Sequence, residues 1–190
     1  MLEKAKQVNP DKRLTINNCN DVGTKTVMAS NTVDFLYVEP WDAVGYTMGS
    51  LAAYIRKSSE TYKKAIVLAS YVNKNKAENS ANTDGRVNDA ASLLCDAMEL
   101  SNGASHLEWG EHYLANEYFP NHNLTLRESS KDIIRNYADI FVSYLQILNG
   151  NWLDDSITSS NHSLSTSFEV GKITTVNKRS SFGQIVSLIN

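Results

Sequence analysis

Short runs rich in β-branched and aromatic residues alternate along the chain with longer stretches of helical periodicity. Four such runs come first, at Arg13–Asn17, Val33–Val38, Ala65–Tyr71 and Ser105–Trp109. Their spacing of about 30 to 40 residues is that of a strand followed by a crossover helix, which predicts parallel strands. The pattern therefore predicts an α/β fold of four strand and helix units over residues 1–150.

Helical periodicity fills the gaps between these runs. The predicted helices are Leu2–Gln7, a short helix after Asn20–Asp21, Tyr46–Tyr62, Thr83–Ser101 and Ser129–Leu148. In the helix from Thr83, apolar residues from Ala90 to Met98 recur at the spacing of an amphipathic helix. The last helix keeps this spacing until Asn149–Gly150 ends it, and we expect it to pack on the outside of a sheet or barrel.

The composition changes after residue 150. Serine, threonine and asparagine dominate from Asp155 to Ser167. Two β-type runs follow, Ile173–Val176 and Gln184–Ile189, around the turn-forming segment Ser180–Gly183. We expect residues 151–190 to form a linker and the first strands of a separate β domain.

Charge and hydropathy narrow the possible functions. The 190 residues carry 18 Lys+Arg and 21 Asp+Glu, a net charge of -3, so no binding surface for nucleic acid is predicted. Apolar runs such as Ala65–Ser70 are too short to span a membrane, and no apolar stretch of a secretory signal follows Met1. Cys19 and Cys95 have no second ligand at metal spacing, so we predict no disulfide framework, metal or cofactor.

Polar and aromatic residues collect where the four runs end. The carboxyl ends of parallel strands carry the catalytic groups in α/β enzymes. The residues at these ends are Asn17, Asn18 and Asn20, then Glu39 and Trp41, then Tyr71 and Asn73, and finally His106 and Glu108. Carboxylates and amides beside aromatic rings are typical of a sugar-binding cleft, because hydroxyl groups need donors and acceptors and a sugar ring packs on an aromatic face.

Glu39 is the strongest candidate for catalysis. It ends an apolar run, and Pro40 directly after it cannot continue a central strand, so the carboxyl is expected at the rim beside Trp41. Simpler interpretations exist for each candidate. Glu39 could be a solvated loop residue, His106 a hydrogen-bonded structural histidine, and Trp41 and Tyr71 could cover the core.

Four segments resemble glycoside hydrolase family 66, which comprises endo-dextranases and cycloisomaltooligosaccharide glucanotransferases. They are Asp34–Trp41 (DFLYVEPW), Val67–Asn73 (VLASYVN), and Gly103–His106 together with Glu117–Pro120. The likeness runs in order from about Arg13 to Gly150. It implies a (β/α)8 barrel followed by a β-sandwich. Such a barrel takes roughly 250 residues, so this chain is too short for a complete one. The matched positions imply that its four runs are the fifth to eighth barrel strands, the C-terminal half.

The resemblance also implies retaining cleavage of α-1,6 links in dextran or isomaltooligosaccharides by two carboxylates. Glu39 stands at the family's general acid/base position. The implied substrate-binding residues are Asn17, Asn20, Trp41, Tyr71 and His106, although Ser105 replaces the family's usual aromatic residue before the histidine. The nucleophile, an aspartate after the fourth barrel strand, would lie upstream of this chain. The fragment alone is therefore predicted to be inactive.

Within the family, the resemblance favours a dextranase. Glucanotransferases carry a carbohydrate-binding module after the seventh barrel strand, and the connection after Asn73 is too short for one. The resemblance further implies a secreted or cell-surface parent enzyme without a cofactor. The alternatives are a glucanotransferase fragment, a non-catalytic carbohydrate-binding or vestigial segment, and an α/β domain for an unrelated ligand.

Overall fold

The computed structural model describes residues 1–41, 44–45, 47–79, 84–115, 123–149, 151–152 and 164–190. Its first part is a parallel sheet of four strands with helices between them. The elements are α1 (Leu2–Val8), β1 (Asn17–Cys19), α2 (Thr24–Met28), β2 (Phe35–Glu39), α3 (Met48–Tyr62), β3 (Ala65–Leu68), α4 (Lys74–Glu78), α5 (Asp89–Asn102) and β4 (Ala104–His106). The strands pair in the order β1, β2, β3, β4. The predicted mixed α/β class with a four-stranded parallel sheet is confirmed.

The second part contains short strands, two helices and a second sheet. After a 3₁₀ turn at Glu111–Tyr113, the elements are β5 (Leu114–Ala115), β6 (Leu124–Thr125), α6 (Glu128–Ser143), α7 (Leu145–Leu148), β7 (Asn151–Trp152), β8 (Leu164–Ser165), β9 (Ile173–Ser180) and β10 (Gly183–Ile189). β9 and β10 form an antiparallel pair around the predicted turn, and β9 also pairs with β7 and β8. None of the helices among the described residues is long and apolar enough to cross a membrane.

The first strand differs from its prediction. β1 starts at Asn17, where the predicted run ends. The residues before Asn17 bond to β2 and to the residue preceding it partly through side chains, outside the sheet ladder. The Asp34 carboxylate accepts the backbone N–H of Leu14 at 2.7 Å, and the Thr15 hydroxyl donates to the carbonyl of Phe35 at 2.7 Å. Asn17 therefore lies on the strand and not beyond its end.

The predicted helices are present with different boundaries. α3 begins with a capping box in which Thr47 Oγ1 accepts the N–H of Ser50 at 3.1 Å. The predicted helix Ser129–Leu148 is divided at Tyr144, whose φ of -110° interrupts the helix. The predicted helix starts Tyr46 and Thr83 lie outside the described residues.

Helix α5 buries a polar face. An amphipathic helix usually turns its apolar stripe to the core, but here Ala90 is exposed and Leu94 is 36% exposed. The buried residues of α5 are Ser92, Cys95, Asp96, Met98, Glu99 and Asn102. The apolar periodicity thus indicates the helix correctly, and Met98 of the predicted stripe is buried. Most of the buried face is nevertheless polar, because its side chains bond to residues of the neighbouring strand and loop.

One hydrophobic core joins the two parts. It combines sheet residues such as Leu36 and Leu68 with Ile55 of α3, and it includes Val176 of β9 and Ile189 of β10. Burial of such side chains contributes roughly 1.5–3 kcal/mol each. The β9–β10 pair is therefore anchored on the α/β part through shared apolar contacts.

A buried lysine reinforces this contact. Lys178 of β9 is fully buried, and its Nζ donates to the carbonyl of Asn102 at 2.8 Å and to that of Leu148. These two residues end α5 and α7, where backbone carbonyls lack helical partners and carry partial negative charge. One ammonium group thus caps two helices from the second sheet.

Lys178 should make folding depend on pH. Burial, together with the charge of Arg56, lowers the pKa of Lys178 from 10.5 to about 7. Between these values the unfolded chain binds a proton that the folded chain does not, so this group makes the free energy of unfolding rise with pH. We propose measuring urea unfolding of the parent and of Lys178→Met at pH about 6 and about 9.5. The free energy of unfolding of the parent, relative to that of the variant, should be larger at the higher pH. The same difference between the two proteins at both pH values would contradict this assignment.

Candidate active site

Glu39 lies at the carboxyl edge of the parallel sheet. β2 alternates buried residues, such as Leu36 and Val38, with half-buried ones, and the half-buried Glu39 is its last residue. Pro40, which cannot donate to the sheet ladder, is buried directly after it. The structure therefore places the Glu39 carboxyl where the sequence predicts it.

Two side chains contact the Glu39 carboxyl, one from β1 and one from the loop after β3. The hydroxyl of Tyr71, in that loop, donates a hydrogen bond to Oε1. Nδ2 of Asn17, on β1, lies 3.5 Å from Oε2. The rings of Tyr71 and Trp41 pack with centroids 5.2 Å apart and planes inclined by 35°. The structure thus brings together Asn17, Glu39, Trp41 and Tyr71.

Asn20 reaches the same edge through its backbone. Its N–H donates to the carbonyl of Glu39 at 2.9 Å, and its φ of 54° is in the left-handed region. Asp21 follows with φ of 63° and accepts a hydrogen bond from the Tyr54 hydroxyl at 2.7 Å. Asn20 therefore ends β1 in a tight turn. That its side chain binds substrate stays a prediction.

A cleft of about 560 Å³ opens beside these side chains. Its lining residues are Pro40, Trp41, Gly45, Met48, Leu51, Ser70, Tyr71, Val72, Lys74, Asn75 and Cys95. Aromatic and apolar side chains form most of the wall, and Lys74 and Asn75 supply polar groups. An apolar wall with a few polar groups is typical of small-ligand sites. Tyr71 belongs to both the cleft and the Glu39 contact, so it connects the two.

His106 lies beneath the cleft. Its side chain is only 3% exposed. Nδ1 donates to Oδ1 of Asp96 at 2.6 Å, and Nε2 donates to the backbone carbonyl of Ser70 at 3.0 Å. Because both partners are acceptors, both ring nitrogens carry protons and the ring is an imidazolium. The protein itself occupies both nitrogens, so a direct contact between His106 and a sugar stays a prediction that this geometry does not favour.

Glu99 is fully buried next to this imidazolium. Its Oε1 accepts hydrogen bonds from the Ser70 hydroxyl at 2.5 Å and from the Cys95 thiol at 3.5 Å. Burial raises the pKa of Glu99 to about 7. Burial alone would lower the pKa of His106, but the charge of Glu99, the hydrogen bond to Asp96 and the charge of Glu108 raise it to about 10.

Cys95, Glu99 and His106 also offer one metal-ligand atom each, all within 4.8 Å of one another. Metal binding requires deprotonated ligands. In the structure, both ring nitrogens of His106 bond to protein acceptors, and burial raises the pKa of the Cys95 thiol. As described, the three residues belong to a buried network of hydrogen bonds.

Two other predicted strand-end residues bond to the protein itself. Asn73, after β3, is buried, and its Nδ2 donates to Glu108 at 2.7 Å and to Ser92 at 3.0 Å. Its Oδ1 accepts the N–H of Asn88 at 2.7 Å, and these bonds stabilise the loop after β3. Asn18, on β1, is also buried, and its Nδ2 donates to the carbonyl of Tyr37 on β2 at 3.1 Å.

Sequence reasoning missed Ser70, Asp96 and Glu99. The available signal was the recurrence of Ser92, Asp96 and Glu99 on one face of α5. A polar helix face is normally solvated, so this pattern alone does not indicate burial. The structure explains the buried carboxylates, because Asp96 bonds to His106 and Glu99 lies close to it.

Comparisons with known proteins show enzymes of one kind. A cycloisomaltooligosaccharide glucanotransferase of Niallia circulans is 30% identical over 116 residues, which cover 57% of this chain and 12% of that protein. A second glucanotransferase of the same organism is 32% identical over 68 residues, covering 35% of this chain and 7% of that protein. The matched segments thus span a small part of the length of these curated relatives.

The fold is also shared with a solved structure. The crystal structure of a Paenibacillus cycloisomaltooligosaccharide glucanotransferase, complexed with cycloisomaltoheptaose, aligns with a TM-score of 0.76 at 18% identity. The alignment covers 99% of this chain and 46% of that one.

The segment Glu117–Pro120, which is part of the predicted family resemblance, lies outside the described residues. The sequence model of glycosyl hydrolase family 66 matches residues 1–190, and this chain therefore belongs to that family.

Proposed function

We propose that this chain is the C-terminal half of a (β/α)8 barrel that cleaves α-1,6-glucans, followed by the first strands of a β-sandwich. The observation that carries the proposal is the group of Asn17, Glu39 and Tyr71 at the carboxyl edge of the sheet, beside a cleft with an aromatic wall. Four parallel strands paired in sequence order are the arrangement found in such barrels, whose active sites lie at this edge. Family membership supports the same conclusion.

Glu39 has the role of general acid/base in this proposal. A retaining glycosidase uses one carboxyl group to protonate the leaving oxygen and later to activate water, while a second carboxylate about 5–5.5 Å away forms the covalent intermediate. The Tyr71 hydroxyl and the Asn17 amide hold the two oxygens of Glu39. The second carboxylate would come from sequence outside this chain, so the chain alone would not turn over substrate.

Trp41 and Tyr71 are proposed to hold the sugar. Their packed rings form one wall of the cleft, and an aromatic face suits the apolar face of a pyranose ring. Asn20, at the end of β1, would add a polar contact from the opposite side of Glu39. Because dextran is too large to enter a cell, the parent enzyme is proposed to be secreted or bound to the cell surface.

The proposed reaction is endo-hydrolysis of dextran. The connection between β3 and α5, residues 69–88, holds the short helix α4 and has no room for an inserted domain. Transglycosylation to cyclic products is the second candidate, and it is favoured by the names of the curated relatives, which are glucanotransferases. The ratio of linear to cyclic isomaltooligosaccharides formed from dextran by the full-length protein distinguishes the two.

Substrate binding by the isolated chain tests the cleft. Calorimetric titration with isomaltotetraose should show binding, and Trp41→Ala should weaken it about tenfold, a loss of about 1.4 kcal/mol, because the sugar loses an aromatic face. Phe182→Ala is the matched control, since Phe182 is an exposed aromatic residue between β9 and β10. Equal affinity of Trp41→Ala and parent, or no binding by the parent, would contradict the assignment.

A further inference from the structure

The floor of the cleft is a buried charged network. Ser70 and Cys95 line the cleft. Behind them the imidazolium of His106 bonds to Asp96, and one ring nitrogen lies within 4.8 Å of a Glu99 carboxyl oxygen. Burying an ion costs several kcal/mol, and well-packed apolar residues of similar volume often stabilise a fold as well as a buried ion pair does. Stability alone therefore does not account for charges at this place. Departures from ordinary core composition are expected at functional sites.

The network holds one short stretch of backbone. The sheet ladder ends at Ala69, whose N–H donates to the carbonyl of Val38 at 2.9 Å. The next residue, Ser70, is held by its backbone carbonyl on Nε2 of His106 and by its hydroxyl on Glu99. These bonds fix the chain in two directions immediately beyond the sheet. Apolar side chains could not do this, because they cannot donate to a carbonyl or accept from a hydroxyl.

Tyr71 comes directly after this anchored residue. Its hydroxyl bonds to Oε1 of Glu39 and its ring packs on Trp41. The direction in which the chain leaves Ser70 therefore sets where the Tyr71 hydroxyl lies. A small shift of a group that orients a catalytic side chain is costly for catalysis.

We propose that His106, bonded to Asp96 and close to Glu99, is a positioning residue that fixes Ser70 and thereby places the Tyr71 hydroxyl on Glu39. The proposal rests on the proposed role of Glu39 as acid/base. In it, His106 acts through Ser70 and Tyr71 and does not touch the sugar. Glu99 contributes twice, since its carboxyl group accepts a hydrogen bond from the Ser70 hydroxyl and has an oxygen within 4.8 Å of a His106 ring nitrogen.

Nuclear magnetic resonance of the 190-residue chain tests this without any sugar. The carboxyl carbon resonance of Glu39 is recorded at one pH in the parent and in Tyr71→Phe, which shows the resonance when the hydroxyl is missing. His106→Gln keeps a donor without the charge, and Glu99→Gln keeps the shape without the charge. Both should move the Glu39 resonance most of the way toward its position in Tyr71→Phe. In the parent, both ring nitrogens of His106 should show imidazolium shifts.

Ile55→Val is the control for general destabilisation, because Ile55 is a fully buried core residue outside the network. It should leave the Glu39 resonance at the parent value. An unchanged resonance in His106→Gln, or an equal shift in Ile55→Val, would overturn the proposal. If His106→Gln does not fold, Glu99→Gln and Ser70→Ala decide by the same criteria. Failure of the parent to bind isomaltotetraose would contradict the proposed function and leave this result standing.

Discussion

Replacing His106 with alanine is expected to lower the free energy of unfolding by about 3–5 kcal/mol, the cost of removing one partner from a buried ion pair. The imidazolium side chain is 3% exposed and Asp96 7% exposed, with 2.6 Å between their bonded atoms. Glu99 next to them is fully buried. Without the ring, two carboxyl groups lose their cation, and the Ser70 carbonyl keeps only the N–H of Val72 as a donor. Denaturant unfolding at neutral pH measures the loss.

The size of this loss should depend on pH. The pKa of His106 is raised from 6.5 to about 10 in the folded chain, so the folded state binds the proton more tightly than the unfolded state does. This contribution is complete below the unfolded value of 6.5 and is lost as pH rises through about 10. The difference between parent and His106→Ala should therefore shrink at high pH.

Lys172→Ala is the matched control for an ion pair. Lys172 and Glu169 also lie close, at 2.7 Å, but their side chains are 37% and 45% exposed. Exposed pairs contribute only about 0–1 kcal/mol, because water screens the charges. A loss in His106→Ala no larger than that in Lys172→Ala would contradict the buried imidazolium.

Strand ends could be predicted from the sequence because they depend on local chemistry. Glu39 stands between an apolar run and a proline, and both features follow from backbone and burial rules that act on neighbouring residues. β1 could not be placed in the same way. The N–H of Leu14 bonds to a side chain, Asp34, and that partner is distant in sequence.

The sequence predicts which residues come together at the site, because this depends on the order of the strands. It does not predict which atoms of these residues bond to each other. Parallel strands in sequence order bring Asn17, Glu39 and Tyr71 to one edge. Which atoms then bond depends on side-chain rotamers, which the pattern does not specify. The sequence allows Tyr71 either to reach into the cleft or to cover the core, and in the structure its hydroxyl bonds to Glu39.

His106 shows a limit of pattern reasoning. A single histidine at a strand end suits either a ligand contact or a structural role. The structure adds Asp96 and Glu99 from the buried face of α5, and these residues look like a solvated helix face in the sequence. Tertiary partners therefore determine what His106 bonds to, and they also determine which residues of α5 are buried.

Replacing Glu39 with glutamine in the full-length protein is expected to reduce the rate of dextran cleavage by about 10²–10⁴, the usual contribution of a general acid or base. The amide keeps the size of the carboxyl group but cannot transfer a proton to the leaving oxygen or take one from water. Binding of dextran should persist, because Trp41 and Tyr71 remain in the cleft. Glu128→Gln is the control, since the Glu128 side chain is 87% exposed on α6.

The appearance of reducing ends from dextran tests the central role of Glu39 most directly. The proposed function predicts turnover by the full-length protein and by Glu128→Gln, a rate lower by about 10²–10⁴ for Glu39→Gln, and no turnover by the 190-residue chain alone. Normal turnover by Glu39→Gln would show that another group is the acid/base. Turnover by the isolated chain would show that it holds a complete catalytic pair.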